Sequence, residues 1–305
     1  MIAISSCVAG EACRFDGTNQ DLEKALMLVK YGSTIKVCPE VLGGLPIPRP
    51  SAEIQMINKQ RKVMTKAHDD VTGEFELGAA KTLELCQMNN INYVILKDRS
   101  PSCGKGFIYN GNFEGKLIKG NGLTSDLLLQ HNIKVFNTSN APYEKLMVYD
   151  FLEENGITYE KFQHEPVFNV EEADQIQIDM NAQQCKNLFL ESKNKKDKVL
   201  VILPAKEQIK IKEIENLIGI KKLRFASKES LKKSLGVEPG SVGAFGLLYD
   251  TENEVKVVIS NSFIEHERMT FHPNINDETL SLEYNDFMKV IKNLGYNPLI
   301  INIDK

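Results

Sequence analysis

The 305-residue chain lacks the features that would settle its class at once. No apolar run approaches the ~18–20 residues of a membrane span. The first residues, Met1-Ile2-Ala3-Ile4-Ser5-Ser6-Cys7, have no basic n-region, so a signal peptide is not expected. A cytoplasmic location without a membrane partner follows as the expectation. There is no internal repeat and no low-complexity tract. Neither sign of charge dominates: 37 Lys+Arg face 41 Asp+Glu, and the net −4 argues against a non-specific electrostatic binder of nucleic acid. The six cysteines (7, 13, 38, 86, 103 and 185) contain no CxxC pair, which weakens an ordinary zinc site. In a reducing compartment they are not expected to form disulfides.

Hydrophobic residues make up 42% and charged residues 26%, enough apolar content to bury a core. At ~100–200 residues per domain the length argues for two. The polar, proline-bearing stretch Asn137-Thr138-Ser139-Asn140-Ala141-Pro142 is the clearest break, giving domains 1–140 and 141–305. Lys+Arg against Asp+Glu is 16 to 14 in the first and 21 to 27 in the second.

The first half alternates strands (Ile2–Ser5, Thr34–Val37, Tyr93–Leu96, Ile133–Phe136) with helices (Asp21–Val29, Glu74–Met88, Leu123–Gln130). That βαβ order predicts a parallel sheet covered on both faces. The second half is mixed. Helices are expected at Tyr143–Glu154, Val170–Asp179, Ile211–Leu217, Lys228–Leu235 (with Ser227 as N-cap) and Asn285–Asn293. Strands are expected at Val199–Leu203 and Leu299–Ile303, with Phe245–Tyr249 and Val255–Ser260 pairing around Asp250–Asn253. The fold class is α/β throughout.

Cys7, Cys38 and Cys103 each lie beyond the carboxyl end of an expected strand, the edge where ligand sites gather in open parallel sheets. Three thiolates converging there make a soft site suited to zinc or an iron–sulfur cluster. The plain alternative is three small buried residues. Cys86, inside an amphipathic helix, reads as core, and Cys185 stays open. The flanks add chemistry: Glu40 as an acid/base, Ser100 and Ser102 beside a thiolate, and Arg14 and Asp16 as substrate-binding groups.

The segments Ile4-Ser5-Ser6-Cys7, Cys13-Arg14-Phe15-Asp16-Gly17, Val37–Leu45, Pro48-Arg49-Pro50 and Ser100-Pro101-Ser102-Cys103-Gly104 resemble the thiouracil desulfidase family, as does Gly111–Gly122. The resemblance covers about residues 1–137. It implies a Rossmann-like domain holding a [4Fe–4S] cluster on Cys7, Cys38 and Cys103, with Cys13 a bystander or spare ligand. It also implies removal of sulfur from a 2-thiouracil-like base, with Glu40 and Ser100 or Ser102 moving protons and positioning a thiolated pyrimidine or nucleotide.

In the second half, Lys186 and Asn187 head an apolar run, Gly236–Gly246 holds four glycines in eleven residues, and His272 precedes Pro273-Asn274. Singly these read as a snorkelling lysine, a turn before a strand, and a turn histidine. Together with His164-Glu165-Pro166-Val167-Phe168, Val170–Ala173, Leu223–Ser227, Leu235-Gly236, Pro239–Val242 and Thr279 they resemble the YbaK/ProX prolyl-tRNA editing family. The resemblance covers about residues 143–305. It departs at Gly243-Ala244-Phe245-Gly246, where relatives carry proline before the phenylalanine.

What this second resemblance implies is hydrolysis of mischarged aminoacyl-tRNA, expected to be Ala-tRNA(Pro), in a mixed α/β editing domain. Backbone N–H groups of Gly240, Ser241, Val242 and Gly243 would nest the oxyanion, and Lys186, Asn187 and His272 would hold substrate and water. No Ser–His–Asp set is evident, so water attacks directly. Lys193, Lys195, Lys196 and Lys198, on an expected hairpin, either receive acceptor-stem phosphates or form a solvated turn. The expectation is a bifunctional fusion; the competing one is a non-enzymatic RNA-binding regulator with structural zinc.

Overall fold

The computed structural model describes residues 1–166, 182–263 and 268–302. The expected helix Val170–Asp179 and the motif residues from Val167 to Ala173 lie outside them. The chain divides into two compact units, Met1–Tyr143 and Glu144–Lys305. No helix among the described residues is long and apolar enough to cross a membrane.

The first unit runs β1 (Ile2–Ser5), α1 (Glu23–Tyr31), β2 (Thr34–Val37), α2 (Pro39–Leu42), β3 (Ala52–Ile57), β4 (Gln60–Thr65), α3 (Thr72–Met88), β5 (Tyr93–Leu96), β6 (Phe107–Tyr109), β7 (Leu117–Lys119), α4 (Leu123–Gln130) and β8 (Lys134–Asn137). Its sheet has the order β2-β1-β5-β8, parallel at every step. The two central strands, β1 and β5, are nearly continuous apolar runs because both their faces are covered, whereas the edge strands β2 and β8 each carry an exposed lysine. Ala3, Val94, Leu96, Val135 and Leu128 pack one core with Cys86, so Cys86 is the core residue its helical spacing indicates.

The chain leaves β1 for β2 on one side and returns to β5 on the other. The direction of winding therefore reverses between β1 and β5, which opens a crevice at their carboxyl ends. Two antiparallel hairpins, β3–β4 and β6–β7, stand beside this edge in sequence.

Two glycines hold α2 against α3. A Cβ on Gly43 would stand 1.9 Å from the Glu74 carbonyl oxygen, and one on Gly78 would stand 1.9 Å from that of Pro39. The two helices thus meet backbone to backbone, which fixes the segment carrying Cys38 and Glu40.

The second unit contains α5 (Tyr143–Glu154), β9 (Glu160–Gln163), β10 (Gln183–Ser192), β11 (Lys198–Pro204), α6 (Ile211–Ile218), β12 (Leu223–Phe225), α7 (Lys228–Leu235), β13 (Val255–Ser260), β14 (Arg268–Phe271), β15 (Glu278–Glu283), α8 (Tyr284–Asn293) and β16 (Leu299–Ile301). One mixed sheet runs β16-β13-β11-β10-β14-β15-β9, with β12 also on β10. β10 is ten residues long: β11 lies along one side, and β14 and then β12 share the other. Ser227 caps α7, accepting from the Ser230 N–H.

One expected strand is corrected. Ala244–Tyr249 is a 3-10 helix, and β13 pairs with β11 and β16 instead. The apolar run Phe245–Leu248 is buried on all sides, and periodicity cannot separate such a run from a strand. Gly246 decides it: a Cβ there would stand 2.9 Å from that of Leu235, so the chain coils against α7.

Candidate functional site

In the first unit, Cys7 opens the turn directly after β1, Cys38 caps the N-terminus of α2 after β2, and Cys103 follows β5. All three, with Cys13, line one cavity of about 740 Å3 shared with Arg14, Glu40, Arg49, Lys97 and Ser100. The Cys13 thiol hydrogen-bonds both Cys7 and Cys38, which lowers the pKa of each; Cys38 falls to about 7, helped by the Val41 N–H and Arg49. Cys13, the donor in both contacts, is pushed up. Burial pushes Cys103 up, with the Glu40 charge adding to it. The Ser5 hydroxyl, 3.8 Å away, donates to the Cys103 sulfur.

Arg49 was not singled out from sequence, yet it organises this cavity. Its Nε and Nη2 both reach Glu40 Oε2, at 2.8 and 2.7 Å. It also donates to the Cys13 carbonyl at 3.0 Å and the Pro46 carbonyl at 3.2 Å. A buried guanidinium needs such partners on every face. The signal for it in the sequence was only an arginine between two prolines. Lys97 was missed as well; it lines the cavity and its charge favours the Cys7 thiolate.

The two serines separate. Ser100 lines the cavity, donates to Glu40 Oε1 at 3.4 Å, and accepts from the N–H groups of Ser102 and Cys103 at 3.1 Å each. Ser102 is fully buried with its hydroxyl on Thr124 at 2.8 Å, so it braces the loop onto α4. Arg14 reaches the cavity, whereas Asp16 is turned outward, pairing with Arg14 at 3.3 Å and accepting from Thr18.

In the second unit, Lys186 and Asn187 lie on β10, and His272 follows β14. The parallel β10–β14 ladder pairs Gln184 with Thr270, so Lys186 and His272 leave it at the same end. Gly243 approaches the His272 carbonyl, where a Cβ would stand 3.8 Å from that oxygen. Gly240 holds φ +92°, a conformation glycine supplies without strain. Ser241 is buried beside it and Val242 is half-buried.

His272 Nδ1 lies 2.9 Å from the Glu278 carbonyl, which can only accept. The neutral ring therefore carries its proton on Nδ1 and leaves Nε2 as an acceptor. Burial holds the His272 pKa below its ordinary 6.5. His164 stands against it edge-on, with ring centroids 5.9 Å apart. Glu207 was missed in the sequence: its carbonyl accepts from Lys186 Nζ, Ser262 donates to its Oε1 at 2.7 Å, and its buried Oε2 has no partner. The buried Asn187 Oδ1 is likewise unpartnered.

Two catalytic-type centres on two α/β units define a chain of fused enzyme modules. Residues 2–140 match the 2-thiouracil desulfurase family and residues 164–290 the aminoacyl-tRNA editing domain. The uncharacterized protein YbbK of Bacillus subtilis is 44% identical over 143 residues, covering 45% of this chain and 95% of YbbK. The prolyl-tRNA editing protein ProX of Acetoanaerobium sticklandii is 35% identical over 144 residues, covering 47% of this chain and 88% of ProX. The solved structure of the [4Fe-4S]-dependent thiouracil desulfidase TudS is 43% identical, covers 46% of this chain and 92% of its own, and superposes with a TM-score of 0.44. The chain belongs to the 2-thiouracil desulfurase family through its first half and to the aminoacyl-tRNA editing family through its second.

Proposed function

We propose that residues 1–140 remove sulfur from a 2-thiouracil-like base or nucleotide and that residues 141–305 hydrolyse mischarged aminoacyl-tRNA, with Ala-tRNA(Pro) as substrate. The observation that carries the first reading is the arrival of thiols from the ends of β1, β2 and β5 at one cavity. Four soft thiol donors at one cavity suit an iron–sulfur cluster. Cys7, Cys38 and Cys103 would hold it, with Cys13 bonded to two of them. When bound, it supplies an iron free of protein ligand that polarises a carbon–sulfur bond.

The remaining chemistry belongs to the chain. Net desulfuration replaces sulfur by the oxygen of water and releases hydrogen sulfide. Ser100 links the cavity to Glu40 Oε1, a two-group path for the proton. Arg49 holds Glu40 at its other oxygen, and Arg14 and Lys97 offer cationic contacts to an oxygen-rich substrate.

In the second unit Lys186 holds the ester carbonyl, the Gly240–Gly243 backbone nests the oxyanion, and His272 Nε2 takes a proton from water. The unpartnered Glu207 Oε2 accepts the α-ammonium that every aminoacyl ester carries. Anaerobic purification tests the first reading: a brown protein with about four irons per chain supports it, and a colourless one with stoichiometric zinc sinks it in favour of a non-enzymatic, zinc-bearing RNA binder. Incubation with alanyl-tRNA(Pro) tests the second, since Lys186→Ala must abolish a deacylation that the native protein performs.

A further inference from the structure

The second unit carries a basic surface that ester hydrolysis does not use. The turn between β10 and β11 presents Lys193, Lys195 and Lys196, and the loop from α6 into β12 presents Lys221 and Lys222; all five are exposed. The Lys193 N–H donates to the Lys222 carbonyl at 3.1 Å, tying the two loops together around an open groove of about 590 Å3.

The turn is held in shape. Ser192 Oγ accepts from the Asp197 N–H at 3.0 Å and donates to Asn194 Oδ1 at 2.6 Å, and that oxygen also accepts from the Lys196 N–H at 3.2 Å. Lys198 stands apart, paired with Glu254 at 2.8 Å. Three of these lysines, Lys193, Lys221 and Lys222, line the groove; among the described residues none of the three is in a salt bridge, and Asp197 is the single acid lining the groove. Composition does not explain the cluster, because residues 141–305 carry 21 Lys+Arg against 27 Asp+Glu. Three lysines facing one carboxylate leave an excess of positive charge that favours an anion.

Position names the anion. Seven residues of extended chain separate Lys186 from Lys193, a span of about 23 Å. A few unpaired nucleotides cover that distance between a terminal ester and the start of a duplex. Duplex RNA is read through its phosphates and shape rather than its base edges, which suits lysines. We infer that this groove receives the phosphate backbone of an RNA acceptor stem while the charged 3′ end reaches Lys186. The inference rests on the hydrolase reading of the second unit.

The test is fluorescence anisotropy of labelled, uncharged tRNA(Pro) across a KCl titration. It compares the full chain with the double variant Lys193→Ala/Lys222→Ala, the conservative Lys193→Arg/Lys222→Arg, and Lys256→Ala, which lies on β13. The alanine pair should bind more weakly at every salt concentration, with the log–log salt slope reduced by about one per lysine removed. The arginine pair should restore the slope, and Lys256→Ala should keep it. An alanine pair with unchanged affinity and slope overturns the inference, as does a native protein that binds no tRNA. Deacylation measured in parallel separates the two ideas. A protein that binds through the groove but leaves the ester intact sinks the hydrolase reading. One that deacylates while the alanine pair keeps its slope sinks the groove.

Discussion

Ser100 and Ser102 stand two residues apart and do different work, so their alanine variants should part. Ser100→Ala removes the hydroxyl between the cavity and Glu40; desulfuration should fall by roughly 10²–10⁴, the usual range for a lost proton-transfer group, with about 0.5–2 kcal/mol of stability lost because its oxygen also accepts from the Ser102 and Cys103 N–H groups. Ser102→Ala leaves Thr124 Oγ1 without its buried partner and should cost about 1–3 kcal/mol in denaturant unfolding. Arg49→Ala strands Glu40 in a largely buried site and should cost about 3–5 kcal/mol, the scale of breaking a buried ion pair. His272 gives a pH signature. Its pKa when folded lies below 6.5, so from 6.5 downward the unfolded chain binds a proton that the folded one refuses. Stability is full above pH 6.5 and declines as the pH drops through the folded value; a pH series of unfolding curves should show this slope flattened in His272→Gln.

At the scale of elements, the α2–α3 contact is the exposed weakness of the first site. Gly78→Ala drives a methyl into the Pro39 carbonyl, so α2 must shift. Overpacking of this kind costs about 1–3 kcal/mol or more, and because Cys38 and Glu40 ride on α2, cofactor content should fall with stability. Elements also explain what could be read in advance. The strand ends before Cys7 and Cys103 were legible because short apolar runs bounded by polar residues announce parallel strands, and the one before Cys38 because β-branched Thr34, Ile35 and Val37 favour a strand despite Lys36. Arg49 was not, because its partners come from Glu40, Pro46 and Cys13, which only the folded loop assembles. β10 was legible only as an apolar run after Lys186, since its first residues are polar. Lys221 and Lys222 gave no hint of lying beside Lys193, a pairing that one cross-loop hydrogen bond creates.

For the molecule as a whole, the two centres draw on separate residues. Cys38→Ser should therefore abolish desulfuration and leave deacylation intact, and Lys186→Ala should do the reverse; both rates measured on each variant check it. The parallel sheet has one more consequence, for synthesis. Cys7 and Cys38 come within reach of Cys103 only through the pairing of β1 with β5, so a nascent chain cannot bring the three thiols together until β5 and the residues beyond it have emerged and docked. If they hold the proposed cluster, whatever delivers iron and sulfide must meet a finished sheet, not a growing chain.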